Sequence, residues 1–424
     1  MKILFLSPAL DSIGIQIKLS KKHKILTIFC DKKEEHTGDN LIDRILIPKN
    51  EISFEKVYEV VKKFKPDFII VDFTGLKSIP DQLREAGYRV WGGGSFCDVI
   101  EYDRYYVVNL LHTFGVNIPE TYEFDNLREA VDFLVERGGR WVYKPEGSKE
   151  ASHTYVSQLE NSEDLIFYLK SLTQQDKGKF VLQKYIEGIE ISSEIYFNGK
   201  DFYFLNWTME DKKFMNDNLG VNTGCSQDVL KFFTPDKKLF KEGLGKIVGF
   251  LRQINFIGQI DFNSIISDDK YYFLEITPRF GYNSIFTTIE LLGLDYYIES
   301  IYLLAGGEKI QEKRPSEYGC SVRISIPNYP FQETSLFGTP ILFDEKDEEH
   351  IWLGGVFYQD GYYLTSGGYG CVAYITEKHN ILLKGVERVY KIVEKVKTID
   401  IQYRTDLGKR QSKQIPELVK SGWI

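Results

Sequence analysis

The sequence contains no C-x-x-C pair. Its five cysteines (Cys30, Cys97, Cys225, Cys320 and Cys371) are far apart and odd in number. That argues against both a disulfide framework and a cysteine zinc site, and suits a reducing compartment. The six histidines form no H-x-x-x-H pair. No apolar run approaches the roughly 20 residues needed to span a bilayer. The opening Met-Lys-Ile-Leu-Phe-Leu-Ser-Pro is apolar too briefly for a signal h-region, so a cytoplasmic location is expected. Between Ser7 and Gly14 there is one glycine, so a G-x-G-x-x-G dinucleotide fingerprint is absent. Positive charge is also short: 53 basic against 61 acidic residues give a formal charge of -8. This gives little electrostatic reason to seek nucleic acid or an anionic membrane, although a local basic cleft for phosphates remains compatible with it.

What is present is a large apolar complement. The 424 residues predict two to four domains. The chain holds 29 Phe, 27 Tyr and 5 Trp, enough to bury a sizeable core. Its first hundred residues alternate short apolar strands (2–6, 24–29, 67–72, 88–91) with amphipathic stretches (13–20, 54–64, 79–86). This α/β alternation predicts a parallel sheet with crossover helices. Gly92-Gly93-Gly94-Ser95 marks a boundary. Beyond it the pattern becomes α+β. Helices are expected at 100–113, 126–137, 237–254 and 284–305. Strands are expected at 116–119, 140–144 and 180–185, with a hairpin turning at Asn198-Gly199. The last hundred residues carry β runs at 319–325, 351–356, 361–365 and 370–376, one helix at 381–396, and a polar tail.

The densest chemistry lies in two expected strands, 258–266 and 270–276. Residues two apart share a strand face, so Asp261 and Asn263 form one pair and Glu275 and Thr277 another. If the strands are neighbours, hard oxygen ligands converge as Mg²⁺ requires when it bridges nucleotide phosphates. Arg279 follows with charge for a phosphoryl or carboxylate group. Alternating acids also occur in solvated surface hairpins, so spacing alone leaves both readings open. Lys144 leaves an aromatic strand for a polar loop, and Gln183 to Glu190 runs from a strand into a turn. Asn216 to Gly224 is a loop rich in amide and hydroxyl donors, of the kind that binds anions through backbone nests.

In order, these pieces resemble an ATP-grasp domain behind its small α/β domain, and more narrowly the phosphoribosylamine–glycine ligases. Glu101 to Pro119 is similar to that family's helix and N-I-P segment. Asn222-Thr223-Gly224 resembles its P-N-T-G-G loop, and Glu275 to Gly281 its E-F-N-x-R-F-G. Thr365-Ser366-Gly367-Gly368 and Tyr403 to Arg410 resemble its T-S-G-G and Y-R-x-D-I-G-x-R.

The resemblance implies an ATP-grasp fold with an N-terminal parallel-sheet domain (1–95), a two-lobed ATP-grasp domain (96–312) and a small β-rich C-terminal domain (313–424). It implies a ligase that uses ATP and Mg²⁺ (or Mn²⁺) to join a small, amino acid-like carboxylate to an amine through an acyl phosphate, as a monomer or homodimer. Lys144, Gln183, Tyr185, Ile186, Glu190, Asn222 and Thr223 would hold the nucleotide. Asp261, Glu275 and Thr277 would bind the metal, and Arg279 the acyl phosphate. The sequence departs from the pattern where the family receives phosphoribosylamine: a G-x-G-G-R-E-H turn is replaced by Ser7-Pro8-Ala9-Leu10-Asp11. The lid L-A-A-G-K-G becomes Ser148-Lys149-Glu150-Ala151-Ser152-His153, and Thr277 stands for an asparagine. Altered substrates are therefore expected. The alternatives are an inactive paralogue serving as a binding or scaffold protein, and a ligase acting on a modified nucleotide or nucleic acid.

Overall fold

The computed structural model describes residues 1–146, 154–172, 178–331 and 334–424. β1 (Lys2–Leu6), β2 (Lys24–Phe29), β3 (Asp43–Leu46), β4 (Phe68–Val71) and β5 (Val90–Trp91) form a parallel sheet in the order β3-β2-β1-β4-β5. Both faces are covered, as parallel sheets require. Leu4, Leu6, Ile69 and Val71 pack on Val57, Val61 and Leu83 of helices Phe54–Phe64 and Ile79–Glu85. Ile3, Phe5, Phe68 and Ile70 pack the other way, with Ile15 and Leu19 of helix Ile13–Ser20 and with Tyr297 and Ile301 of helix Leu294–Ala305.

β6 (Thr121–Phe124), β7 (Trp141–Pro145), β8 (Tyr155–Val156) and β9 (Phe180–Lys184) make a second, antiparallel sheet, ordered β6-β9-β7-β8. Helices Leu127–Arg137 and Glu163–Ser171 back it through Leu134, Leu165 and Leu169.

The remaining strands are β10 (Ile189–Asn198), β11 (Phe202–Lys213), β12 (Asn222–Phe232), β13 (Ile257–Ser267), β14 (Lys270–Thr277), β15 (Tyr318–Ser325), β16 (Phe337–Ile341), β17 (Ile351–Leu353), β18 (Val356–Gln359), β19 (Tyr362–Ser366) and β20 (Cys371–His379). Eight of them join edge to edge as β14-β13-β10-β11-β12-β15-β20-β17, and β16-β19-β18 form a small fourth sheet. Strands before and after residue 312 thus share one sheet. Alternation splits its faces. Ile191, Ile195, Trp207, Met209, Ile260 and Phe262 enter one core with Leu251, Val389 and Val393. Glu190, Ser192, Glu194, Thr208, Glu210, Lys212, Asp261 and Asn263 take the opposite face.

Several elements differ from the sequence reading. β3 was not expected: Asp43-Arg44-Ile45-Leu46 is half charged, tolerable because it is an edge strand paired on one side. Residues 116–119 are not a strand, although Asn117 bonds the backbone of β14 on both sides (Nδ2 to Tyr271 O, 2.8 Å; O from Phe273 N, 2.9 Å). The helix at 100–113 is two, Ser95–Tyr102 and Arg104–Thr113, because the Asp103 carboxylate caps the second by accepting from Tyr106 N at 2.8 Å. Gly293, at φ +87°, divides the helix expected at 284–305 into Ser284–Leu292 and Leu294–Ala305. The stretch 237–254 is likewise broken, at Gly243. Asn222 to Gly224 opens β12 instead of forming a loop. The polar tail contains helix Gln411–Lys420, followed by buried Trp423 and Ile424.

Candidate active site

A cavity of about 500 Å³ lies between the polar face of the eight-stranded sheet, the C-terminal ends of β1 and β4, and the loop before β20. The register builds its floor. Asp261 pairs with Thr277 and Asn263 with Glu275 across β13 and β14; Glu194 pairs with Asp261 and Ser192 with Asn263 across β10 and β13. The carboxylates of Asp261 and Glu275 therefore reach one wall of one cavity.

Lys212 is the counter-charge. Its Nζ lies 2.7 Å from Glu275, 3.1 Å from Glu190 and 3.9 Å from Glu210. Burial alone would lower this ammonium, but Glu275, Glu190 and Glu210 outweigh it and hold it charged. Lys212, with Arg104 and Lys144, holds Glu275 well below the usual carboxylate range against the effect of burial. Burial would raise Glu190, but Lys212 and a 2.9 Å bond from Asn263 Nδ2 bring it below its ordinary value. The next acids are less well served. Burial pushes Glu194 up to about 7, with amide bonds from Asn206 and Gln259 pulling against it. It pushes Glu210 up to about 7 as well, and raises Asp261 well above its ordinary value, with Glu194 and Glu210 repelling it. Like charges facing across strands are unfavourable, so this face holds more carboxyl groups than Lys212 can neutralise. Asn263 Oδ1 is buried with no hydrogen-bond partner among the described residues.

Arg279, two residues past β14, lines the same cavity. Its Nε donates to Glu101 at 2.8 Å and its Nη1 to Phe280 O at 3.0 Å; the guanidinium lies 4.2 Å from the Phe73 ring centre and 4.8 Å from that of Tyr282. An ion pair and two aromatic faces fix its orientation.

The expected nucleotide residues separate into groups. Lys144 Nζ donates to Gln183 Oε1 (2.7 Å) and to Leu274 O (3.3 Å), so it bridges the four-stranded and eight-stranded sheets. Burial, with Arg104 beside it, lowers its ammonium to about 8. Glu190 lies with Glu275 in the acid cluster. Asn222 and Thr223 line the cavity, Thr223 donating to Lys212 O at 2.8 Å. Lys144, Gln183, Tyr185, Ile186 and Glu190 are not among the residues that line it; the Tyr185 ring lies under Arg140 at 3.7 Å. Residues 148–153, compared with the family's lid, lie outside the described residues.

Residues 102–282 match a family model described as the ATP-grasp domain. The chain has an ATP-grasp fold. It is divergent from the relatives it resembles. A phosphoribosylamine–glycine ligase of Clostridium acetobutylicum is 23% identical over 96% of this chain and all of the relative. The crystal structure of the Thermotoga maritima phosphoribosylamine–glycine ligase superposes with a TM-score of 0.75 at 18% identity, over 96% of this chain and 100% of that one. The biotin carboxylase domain of a Hydrogenobacter thermophilus 2-oxoglutarate carboxylase, solved with MgADP and bicarbonate, gives 0.66 at 13% identity, over 97% of each chain. At these identities the two structures establish a shared fold.

Three side chains of the cavity escaped the sequence reading: Glu194, Glu210 and Lys212. The signal for Glu194 was available in Ile189-Glu190-Ile191-Ser192-Ser193-Glu194-Ile195, where acids recur at even positions between apolar ones. The C-terminal motif buttresses this hairpin from behind. Arg404 is buried, donates to Lys213 O (2.9 Å) and grips Asp406 through Nε and Nη2 (2.9 and 2.8 Å). Arg410 pairs with Asp211 at 2.9 Å, and Gln227 ties Asp211 to Asp406.

Proposed function

We propose that the protein is an ATP- and divalent cation-dependent ligase that phosphorylates a small carboxylate and transfers the acyl group to an amine. The observation that carries this is the convergence, in one cavity, of the oxygens of Asp261, Asn263 and Glu275 with the clamped guanidinium of Arg279. The donor set fits Mg²⁺ or Mn²⁺. It offers two carboxyl groups and an unpartnered amide oxygen, all hard ligands, on a face crowded with acids that a cation would let ionise. Thr277, opposite Asp261, adds a hydroxyl where a second acid would have added charge. Bound there, the cation would neutralise the oxygens of the transferring phosphoryl group.

The chain's own residues supply the rest. Lys144 and Gln183, joined at the seam of two sheets beside the cavity-lining Leu274, would hold the nucleotide from its adenine and phosphate sides. Lys212 keeps Glu275 and Glu190 ionised and oriented. Arg279 would bind the acyl phosphate: Glu101 and the Phe73 and Tyr282 rings fix its plane before substrate arrives, so its charge acts without reorganisation. No side-chain nucleophile is required, because the carboxylate substrate itself attacks the γ-phosphorus.

The test is ADP formation in a matrix of amino acids and amines. The reading predicts turnover that needs ATP, a divalent cation and both organic substrates, and that Arg279→Met abolishes while the protein still binds nucleotide. ADP release that no carboxylate stimulates would refute it.

A further inference from the structure

The cavity has a second end, at the C-terminal edge of the parallel sheet, and it is lined by carboxylates. Asp11 lines the cavity, and no group among the described residues donates a hydrogen bond to its carboxylate. Buried Glu34 lines the same end, taking Thr37 Oγ1 and the Tyr369 N–H. Burial raises Asp11 to about 6, an effect that Arg279 opposes and Asp31 and Glu101 reinforce.

The cations nearby are already engaged. Arg279 is held by Glu101 and Phe280 O, and Arg323 by Cys225 O and Ser226. The remaining wall is aromatic: Phe73, Tyr282, Tyr329 and Tyr374. A phosphate entering here would face the carboxylates of Asp11 and Glu34, and Arg279, the guanidinium beside it, is the one assigned to the acyl phosphate. An ammonium would meet an unpaired carboxylate beside an aromatic wall.

We propose that this end receives the amine substrate as an unphosphorylated ammonium cation on an apolar body, with Asp11 as its counter-ion. The inference rests on the ligase reading and specifies its acceptor. Asp11 takes one proton from the bound R–NH₃⁺, which leaves the free amine beside the acyl phosphate. Nitrogen attack then forms the C–N bond and breaks the bond from carbonyl carbon to bridging oxygen. The electron pair departs on phosphate, and the second amine proton goes to that phosphate, giving amide and HPO₄²⁻.

Calorimetry with the full chain tests this, using tyramine and 1,4-diaminobutane as cationic probes and phosphoethanolamine as the phosphorylated one. Each is titrated with and without Mg²⁺ and a non-hydrolysable ATP analogue. Tyramine is expected to bind at least about tenfold tighter than phosphoethanolamine. Asp11→Asn should weaken tyramine by about tenfold or more, the loss of one charge-assisted hydrogen bond, and Asp11→Glu should restore part of it. Affinity for the ATP analogue should not change in either variant. Equal or tighter binding of phosphoethanolamine, tyramine binding indifferent to Asp11→Asn, or no binding of either cationic probe would overturn the proposal. Displacement of tyramine by alanine would also overturn it, by assigning Asp11 to the carboxylate substrate. Failure of the analogue to bind would instead strike at the ligase reading, and tyramine binding lost in Asp11→Asn would still support the acceptor site.

Discussion

At the scale of single residues, the site depends on side chains held by neighbours with no spare room. A Cβ on Gly224 would sit 2.4 Å from the Tyr282 ring, which is one of the two faces against Arg279. Gly224→Ala should therefore shift the guanidinium. It is expected to lower turnover by about ten- to a hundredfold, as misplacement of a reacting group does, with little change in melting temperature. Asp72 behaves differently. It is fully buried at the end of β4, accepts the hydroxyls of Ser7 and Ser12 on Oδ2, and leaves Oδ1 without a partner among the described residues. Burial and Asp11 raise it to about 7 despite those bonds. Its native form therefore binds more protons than its unfolded form above the ordinary carboxylate value. The stability tied to its protonated state is complete below about pH 4 and is lost as pH rises to about 7. Asp72→Asn should flatten that part of the stability profile and raise stability at pH 8 by a few kcal/mol, as read by denaturant titration at pH 5 and pH 8. Residues of this kind were only partly legible. Asp261, Glu275 and Arg279 stood out because they cluster in sequence. Lys212 and Glu194 did not, since strand pairing alone brings them to the same wall.

At the scale of elements, alternation and turn chemistry predicted the hairpins at Asn198-Gly199 and Ser267 to Lys270, and the helix Phe54–Phe64 to the residue. What the sequence left obscure were the places where one capping or permissive residue overrides continuous helical spacing, Asp103 and Gly293, and an edge strand too polar to announce itself. The tail was opaque for another reason: its value lies in a tertiary contact. Trp423 is buried, its Nε1 donates to Asp269 at 2.9 Å in the β13–β14 turn, and the backbone of Gly422 and Trp423 accepts from Lys238 and Leu239. The last residues thus brace the hairpin that carries Asp261 and Glu275. Trp423→Ala should cost about 3–5 kcal/mol, as for other large buried aromatics. The loss is measurable by urea unfolding, and cation affinity should weaken alongside it.

At the scale of the whole molecule, one eight-stranded sheet serves as the common floor, and the parallel sheet docks on it at Phe280, whose N–H donates to Asp72 O at 3.2 Å. No helix among the described residues is long and apolar enough to cross a membrane. The order of motifs along the chain made this architecture readable. Which substrates it takes was not readable, because the acceptor end is assembled from Asp11, Glu34, Phe73, Tyr329 and Tyr374, scattered over most of the sequence. A ligand bound across this floor should stabilise the whole. Mg·ATP at about a hundred times its Kd should add about 2.7 kcal/mol and raise the melting temperature. Removal of the cation with EDTA, or Glu275→Gln, should abolish most of that rise.

The central claim, that a carboxylate is activated on phosphate in this cavity, is tested most directly by isotope transfer. The protein is given Mg·ATP, an amine mixture and pooled amino acids labelled with ¹⁸O in their carboxyl groups, and the inorganic phosphate released is weighed by mass spectrometry. The account predicts one ¹⁸O in each phosphate released, lost in Arg279→Met. Phosphate released without label would mean that water, and not a carboxylate, takes the phosphoryl group, and would contradict it.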